Sequence, residues 1–202
     1  MSLTLNCNDR SERVCIQTKK VFDACQKQLT LTKVPIAVSN ISPPNPMLPL
    51  TYIGAKSSSA YATVNNLVVK PLECGELARY TGTIVIPLLV YYKDANNVNG
   101  VGTSTLSLPF DIVLCLPQSS IMPYFIDAVV SASSSIGNYI GTSVVNGNLV
   151  YNFIIDICIL LILKVVMEVE LIVAAYGYAA IPECTDFGEK VCDGFFSLPL
   201  YP

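Results

Sequence analysis

Apolar and polar residues alternate along the last third of this chain. From residue 153 to residue 173 every odd position is apolar. The four charged residues of this stretch all occupy even positions: Asp156, Lys164, Glu168 and Glu170. Alternate side chains of a strand point to opposite faces of a sheet, whereas a helix has no reason to separate charges by parity. The stretch from residue 148 to 176 therefore predicts one very long strand, or two strands joined at a bend.

The same stretch is apolar enough to raise the alternative of a membrane helix. Its uninterrupted uncharged core extends only from Ile157 to Leu163. A helix needs about 20 consecutive apolar residues to cross a bilayer. We therefore predict no membrane span.

Several other stretches show strand periodicity. Within Thr103–Leu116 the even positions from Leu106 onward are apolar, and so are most even positions of Tyr80–Tyr92. Pro87 in the latter stretch predicts a sheet edge or a bulge. Asn146-Gly147 predicts a tight hairpin turn, and residues 94–102 predict a longer one. Weaker patterns predict strands at Leu29–Ser39, Leu50–Lys56, Ala60–Lys70 and Ile126–Ser133. About seven strands separated by Gly, Asn and Pro turns predict an all-β fold, an antiparallel β-sandwich.

The two ends of the chain differ from this pattern. Thr18–Leu29 can form a short helix with Val21, Phe22 and Cys25 on one face. Residues 41–49 are too rich in proline for regular structure and predict an extended linker. We therefore divide the chain into an N-terminal arm (residues 1–49), a sandwich domain (50–180) and an extended C-terminal tail (181–202).

Composition limits the partners of this chain. Hydrophobic residues make up 52% and charged residues 13% of it, whereas about 25% charged residues is usual. Too few charges remain to cover an isolated monomer, so other protein copies are expected to cover the surplus apolar surface. The net charge of −3 is unlike that of a nucleic-acid binder. We predict a homopolymer without nucleic acid.

Residue chemistry argues against an enzyme. The chain has no histidine, the commonest general base near neutral pH and the commonest metal ligand. Its cysteines lack the close pairs of zinc sites, and Glu168 and Glu170 form a simple acidic stripe. We predict no catalytic residue, no cofactor and no metal site.

The chain has eight cysteines, although its first residues do not resemble a secretory leader. Cytoplasmic thiols normally stay reduced, so synthesis in a cytoplasm followed by exposure to oxidant would reconcile the two features. Within their predicted strands, Cys115 and Cys158 both lie on the face opposite the main apolar positions. They could be close neighbours if the two strands are adjacent, but we favour the alternative that each is a small buried hydrophobic residue. The cysteines outside the predicted sandwich are candidates for disulfides between subunits: Cys7, Cys15, Cys25, Cys184 and Cys192. A loop within one chain, Cys184 to Cys192, is the alternative for that pair.

The last eight residues, FFSLPLYP, form a strongly apolar segment. Two prolines keep it extended, and an extended apolar segment can occupy a groove or pair at a sheet edge. We predict that it docks on a neighbouring copy; the alternative is that it covers its own sandwich. The docking residues would be Phe195, Phe196, Leu198, Leu200 and Tyr201.

The strand pattern of the central region resembles that of a known family. The run from Gly82 to Tyr92, the Pro109-Phe110 strand and the long strand around 155–173 look like the sporulation-associated SPOCS domain of spore-forming Firmicutes. Val14–Cys25 also looks like the start of small clostridial spore-surface proteins. The resemblance implies synthesis in the mother cell and assembly on the spore surface, in the coat, exosporium or an appendage, with other spore-surface proteins as further partners. It carries over no catalytic residue.

These observations lead to one expected function and one alternative. We expect a structural subunit that polymerises into a fibre, appendage or lattice on the spore surface, reinforced by disulfides. The alternative is a β-sandwich adhesin or glycan-binding module that acts as a discrete domain. Eleven tyrosines favour this alternative, whereas the absence of tryptophan removes the best stacking platform for a sugar.

Overall fold

The computed structural model describes residues 12–73, 76–117 and 123–175. These residues form seven strands and no helix. The strands are β1 (Glu12–Ser42), β2 (Thr51–Ser57), β3 (Tyr61–Pro71), β4 (Leu77–Lys93), β5 (Asn99–Cys115), β6 (Tyr124–Val145) and β7 (Asn148–Ala175). The predicted all-β class is therefore confirmed. Within the described ranges no helix is long and apolar enough to cross a membrane.

Gln17–Glu170 form one compact unit. The described residues on either side of it, 12–16 and 171–175, are the outer ends of β1 and β7 and belong to a second unit.

The strands form one antiparallel sheet in the order β2-β4-β3-β6-β7-β1-β5. β4 pairs with β5 along one side, and with β3 and then β2 along the other. β6 pairs with β2 and β3 on one side and with β7 on the other. Because β1 joins β7 to β5, the pairings lead back to their start and the sheet closes on itself. The two separate sheets of the predicted sandwich are not confirmed, since backbone pairing links all seven strands.

The interior of this closed sheet is the hydrophobic core. Odd residues of β7 from Phe153 to Val165 are buried, and so are the even residues of β4 from Ile84 to Tyr92. Even residues of β6 such as Val130 face the same core. The alternation in the sequence therefore identified the inward face of the long strands correctly.

The two predicted turns are also present. Asn146 and Gly147 have φ angles of 50° and 81° and connect β6 to β7. Successive positive φ angles suit the right-handed twist of a two-residue hairpin, which explains the Asn-Gly pair. Between β4 and β5, the Asp94 carboxylate accepts hydrogen bonds from the backbone N–H groups of Asn96 and Val98, each at 2.8 Å.

The predicted helix at Thr18–Leu29 is wrong, because these residues lie in β1. Cys25, Leu29 and Leu31 alternate along the inner side of this strand, and Val34 follows them after Lys33. Lys33 adopts a φ of 55° and donates its backbone N–H to Asp156 Oδ1 at 2.7 Å. At Lys33 the side chains of β1 that point into the core change from odd-numbered to even-numbered residues. This change makes the alternation of apolar and polar residues hard to recognise in the sequence. Residues 17–42 of the predicted arm are thus part of the sheet.

Pro87 lies inside β4 rather than at an edge of the sheet. It pairs with Thr105 of β5, and its carbonyl accepts the Ser58 N–H at 2.9 Å. The N–H that proline lacks would point to the same side as this carbonyl, where β4 changes partner from β3 to β2. The ladder is interrupted there in any case, so the missing donor costs no strand pairing.

Candidate functional site

β1 and β5 are paired over only a short distance. Their backbone register covers Ser39 with Thr103 and Ser42 with Val101. Next to it, the Ser104 hydroxyl donates to the Ala37 carbonyl at 2.8 Å. Towards the other end of β5, the Cys115 N–H donates to Asp23 Oδ2 at 2.9 Å. We call the unpaired stretch between these two contacts, residues 105–114 of β5 facing residues 24–36 of β1, the β1–β5 seam.

Among the residues that the structure describes, no strand pairs with the edge of β5 that faces the seam. Thr103 and Cys115 both direct backbone groups towards β1. Because such groups alternate along a strand, the odd residues 105–113 direct theirs to the same side. Their side chains are exposed, and Pro109 among them has no N–H to donate. An unpaired edge of this kind is a template for another strand.

The core is also less completely covered along the seam. Ile84 and Ile86 of β4 are 0% exposed. Among the β5 residues that face the same core along the seam, Leu108 and Ile112 are only half-buried, whereas the residues that alternate with them are buried: Leu106, Phe110 and Leu114. The residues of β1 that pack on the core beside the seam are half-buried as well: Phe22, Cys25, Leu29, Leu31 and Val34. The seam is therefore a strip of incompletely covered apolar surface between two strands.

Two acidic side chains hold charges near the seam. The backbone N–H of Cys115 donates a hydrogen bond to the Asp23 carboxylate and lowers the pKa of Asp23. The Cys115 thiol also hydrogen-bonds to this carboxylate, and that bond raises the pKa of the thiol. On the exposed side of β4 and β5, Arg79 forms a bidentate pair with Asp111 and lowers the pKa of that carboxyl. The Asp23–Cys115 contact therefore closes one end of the seam, and its hydrogen bond is stronger when Asp23 is ionised.

A second surface feature is the end of the β6–β7 hairpin. No charged residue occurs between Asp127 and Asp156. Beyond Ser134, β6 pairs only with β7 among the described strands. Five apolar side chains here are between 48% and 69% exposed: Ile136, Ile140, Val144, Val145 and Leu149. We call residues 136–149 the hairpin tip.

The base of the hairpin is firmly packed. The Phe153 ring, 0% exposed, lies 5.9 Å from the Tyr52 ring and 5.5 Å from the Tyr139 ring, centroid to centroid. The Tyr52 hydroxyl donates to Ser134 Oγ at 2.7 Å. A Cβ at Gly137 would lie 2.8 Å from Tyr52, so only glycine permits this close approach. The hairpin tip therefore extends from a fixed base.

A third feature is an open groove of about 640 Å³ on the outer side of β7, between β1 and β6. Polar and apolar side chains line it in similar proportion, and none of the lining residues is aromatic. The residues that define it are Gln28, Thr30, Ser131, Ser133, Cys158 and Leu160. Such a lining can hydrogen-bond a polar ligand but offers no platform for stacking a sugar ring.

The four described cysteines are all free thiols. Cys15 is exposed, as a cross-linking residue must be, whereas Cys25 is half-buried and its pKa is raised by burial and then by Asp23. Cys115 and Cys158 are exposed, so the prediction that they are buried hydrophobes is wrong. They are not on neighbouring strands either, because β1 lies between β5 and β7.

The remaining predicted site residues lie outside the described residues. These are Cys7, Cys184 and Cys192, together with the docking residues Phe195, Phe196, Leu198, Leu200 and Tyr201. Cys74 lies outside them as well. In the part of the chain that the structure describes, no three potential metal ligands (Cys, Asp or Glu) cluster.

Two features of the sequence point to parts of these surfaces. The uncharged stretch before Asp156 marks the hairpin tip, and Pro109 marks a strand edge. The seam itself has no local signal in the sequence, because it depends on how β1 and β5 meet.

No protein-family model, curated protein or solved structure matches this chain. Its resemblance to the SPOCS domain therefore stays an expectation.

Proposed function

We propose that this protein is a structural subunit that self-assembles into a polymer, a fibre, appendage or lattice, on the bacterial spore surface. The observation that carries the proposal is the hairpin tip. It is uncharged and carries five exposed apolar side chains, and beyond Ser134 no other strand of the described residues pairs with its β6 edge. Proteins usually protect such edges with lysine, proline or a covering segment, and the tip has neither of the first two.

The size of this surface supports a contact between copies. Complete burial of an aliphatic side chain contributes about 1.5–3 kcal/mol, so five side chains about half exposed would contribute roughly 4–7 kcal/mol. Association costs of about 4–15 kcal/mol oppose this gain. The hairpin tip alone would therefore give a weak contact, and a stable polymer needs a second one.

Covalent links can reinforce the non-covalent contacts. Cys15 is an exposed free thiol near one end of β1. With Cys7, Cys184 and Cys192 it belongs to the cysteines predicted from the sequence to join subunits. A disulfide requires two Cα atoms about 4.4–6.8 Å apart, and the exposed thiol of Cys15 is accessible to a cysteine of another copy.

The spore surface enters the proposal through the resemblance described above. A protein made in the mother cell meets oxidant when that cell lyses. This history fits the eight cysteines of the chain, because thiols that stay reduced in a cytoplasm can form disulfides after such exposure.

Negative-stain electron microscopy of the purified full-length protein tests the proposal. We expect ordered polymers that persist in dilute buffer. Dispersed particles of uniform size, at concentrations up to the millimolar range and after oxidation, would contradict it. Immunogold labelling of spores tests the location separately, and label confined to the vegetative cytoplasm would refute that part.

The second candidate is a glycan-binding or adhesive module. The groove around Cys158 favours it, because hydroxyl and amide side chains line an open surface. Calorimetric titration with a panel of oligosaccharides distinguishes the two functions. Saturable binding that Ser133→Ala weakens, by a protein that stays monomeric, would favour the module over the polymer.

A further inference from the structure

We propose that the β1–β5 seam receives the C-terminal segment Phe195–Pro202 of a second copy, which adds as a strand beside β5. This inference rests on the proposed function, since it identifies the second contact that a stable polymer needs. It names an interaction surface, the partner and the part of the partner that binds.

The seam offers the backbone groups that strand addition requires. The carbonyl groups of the odd residues from Thr105 to Val113 face the seam, together with the N–H groups of all of them except Pro109. An incoming strand would satisfy these groups with main-chain hydrogen bonds, while its side chains determine specificity. The exposed side chains of Ser107 and Asp111 point outward and leave the edge accessible.

The side chains of the segment match the uncovered strip of core. In an extended chain Phe196, Leu198 and Leu200 share one face. Directed inward, this face would cover Leu108 and Ile112, which are half-buried in the described unit. The opposite face, with Phe195, Ser197, Pro199 and Tyr201, would remain at the surface. No charged residue lies in the segment, so none would be buried.

The dimensions also agree. Residues 105–113 extend over about 30 Å and the eight-residue segment over about 25 Å, at roughly 3.3 Å per residue. Residues 176–202 follow the last described residue and span up to about 90 Å when extended, which is enough to reach another copy. Pro199 would leave one backbone acceptor unpaired, a cost that edge strands tolerate.

Photo-cross-linking from the seam tests this inference in the full-length protein. A benzoylphenylalanine replaces Ser107 in chains labelled with ¹⁵N, and these are mixed equally with unlabelled wild-type chains before assembly. We expect the probe to cross-link to the peptide containing residues 195–202, with labelled and unlabelled copies of that peptide in about equal amounts. A probe at Thr63, an exposed residue of β3, serves as the control and should not give this product.

Two variants add a directional test. Leu198→Asp places a charge on the inward face and should reduce the cross-link yield about tenfold or more, because an unpaired buried charge is strongly unfavourable. Ser197→Asp changes the outward face and should reduce the yield much less. Equal effects of the two substitutions would argue against the proposed orientation of the segment.

The remaining outcomes overturn the inference in different ways. Cross-links only to labelled 195–202 peptide would show that each chain covers its own seam. Cross-links only to residues 17–36 would show that β1 closes the seam. Polymers seen by microscopy without a cross-link to residues 195–202 would refute the inference while leaving the proposed function intact, whereas the absence of polymers would refute the proposed function itself.

Discussion

Replacing Val144 by serine tests whether the hairpin tip is an assembly contact. Val144 is 69% exposed, so the substitution removes little from the folded monomer. Surface substitutions of this kind usually change the free energy of unfolding by less than about 0.5 kcal/mol. The effect should therefore appear in assembly and not in folding.

The expected magnitude follows from the exposed fraction. Complete burial of a valine side chain contributes about 1.5 kcal/mol, so covering the exposed 69% contributes about 1 kcal/mol. A serine hydroxyl left without a partner in the interface adds a penalty of up to about 1 kcal/mol. Since 1.4 kcal/mol corresponds to a factor of ten, the critical concentration for assembly should rise about 5-fold to 30-fold.

Sedimentation of polymer over a concentration series measures this critical concentration, and circular dichroism confirms that the variant is folded. The matched control is Val68→Ser, because Val68 is 48% exposed but lies on β3, away from the hairpin tip. An unchanged critical concentration for Val144→Ser, or an equal rise for both variants, would refute the assignment of the hairpin tip as an assembly contact.

Three further predictions follow from the described residues. Phe153→Ala should lower the free energy of unfolding by about 3–5 kcal/mol in urea titrations, because the Phe153 ring is fully buried between two tyrosines. A decrease of less than about 1 kcal/mol would contradict this packing. The lowered pKa of Asp23 contributes stability that is present above the unfolded pKa of about 3.9 and is lost as the pH falls through the folded value. Asp23→Asn should therefore flatten the acid limb of thermal melts below about pH 4, and an unchanged acid limb would show that the Cys115 contact contributes nothing. On non-reducing gels after heating in detergent, mature polymer should give a ladder of bands that collapses to monomer when reductant is added. Cys15→Ser should weaken this ladder more than Cys25→Ser does, because the Cys25 thiol is half-buried and its pKa is raised. Release of monomer by heat and detergent alone would refute the cross-links.

The alternation of apolar and polar residues correctly predicted those strands that keep the same face against the core along their whole length. β7, β4 and β5 each keep one face against the core, so their alternation in the sequence survives in the structure. The Asn146-Gly147 turn was predictable because its backbone angles favour these two residues. β1 was missed in part because the left-handed Lys33 shifts its inward face, which makes the pattern of residues 18–38 irregular.

Exposure of the cysteines was less predictable. Parity places Cys115 and Cys158 opposite the apolar face of their strands, which is correct. Whether that opposite face is covered depends on which strands or segments lie over it, and both thiols prove to be exposed. The candidate docking segment was likewise recognisable from its composition, whereas the surface that could receive it was not.

The sequence by itself determined the all-β class, the inward face of the principal strands, the tight hairpin and the excess of apolar residues. These properties follow from backbone angles and from a side-chain period of two, both of which act between residues close together in the chain. Only the tertiary structure decided that the sheet closes on itself, that β1 separates β5 from β7, and that β1 and β5 part to leave a seam. Such contacts join residues about sixty or more positions apart, and the register of two distant strands depends on the whole arrangement of the core rather than on either segment alone.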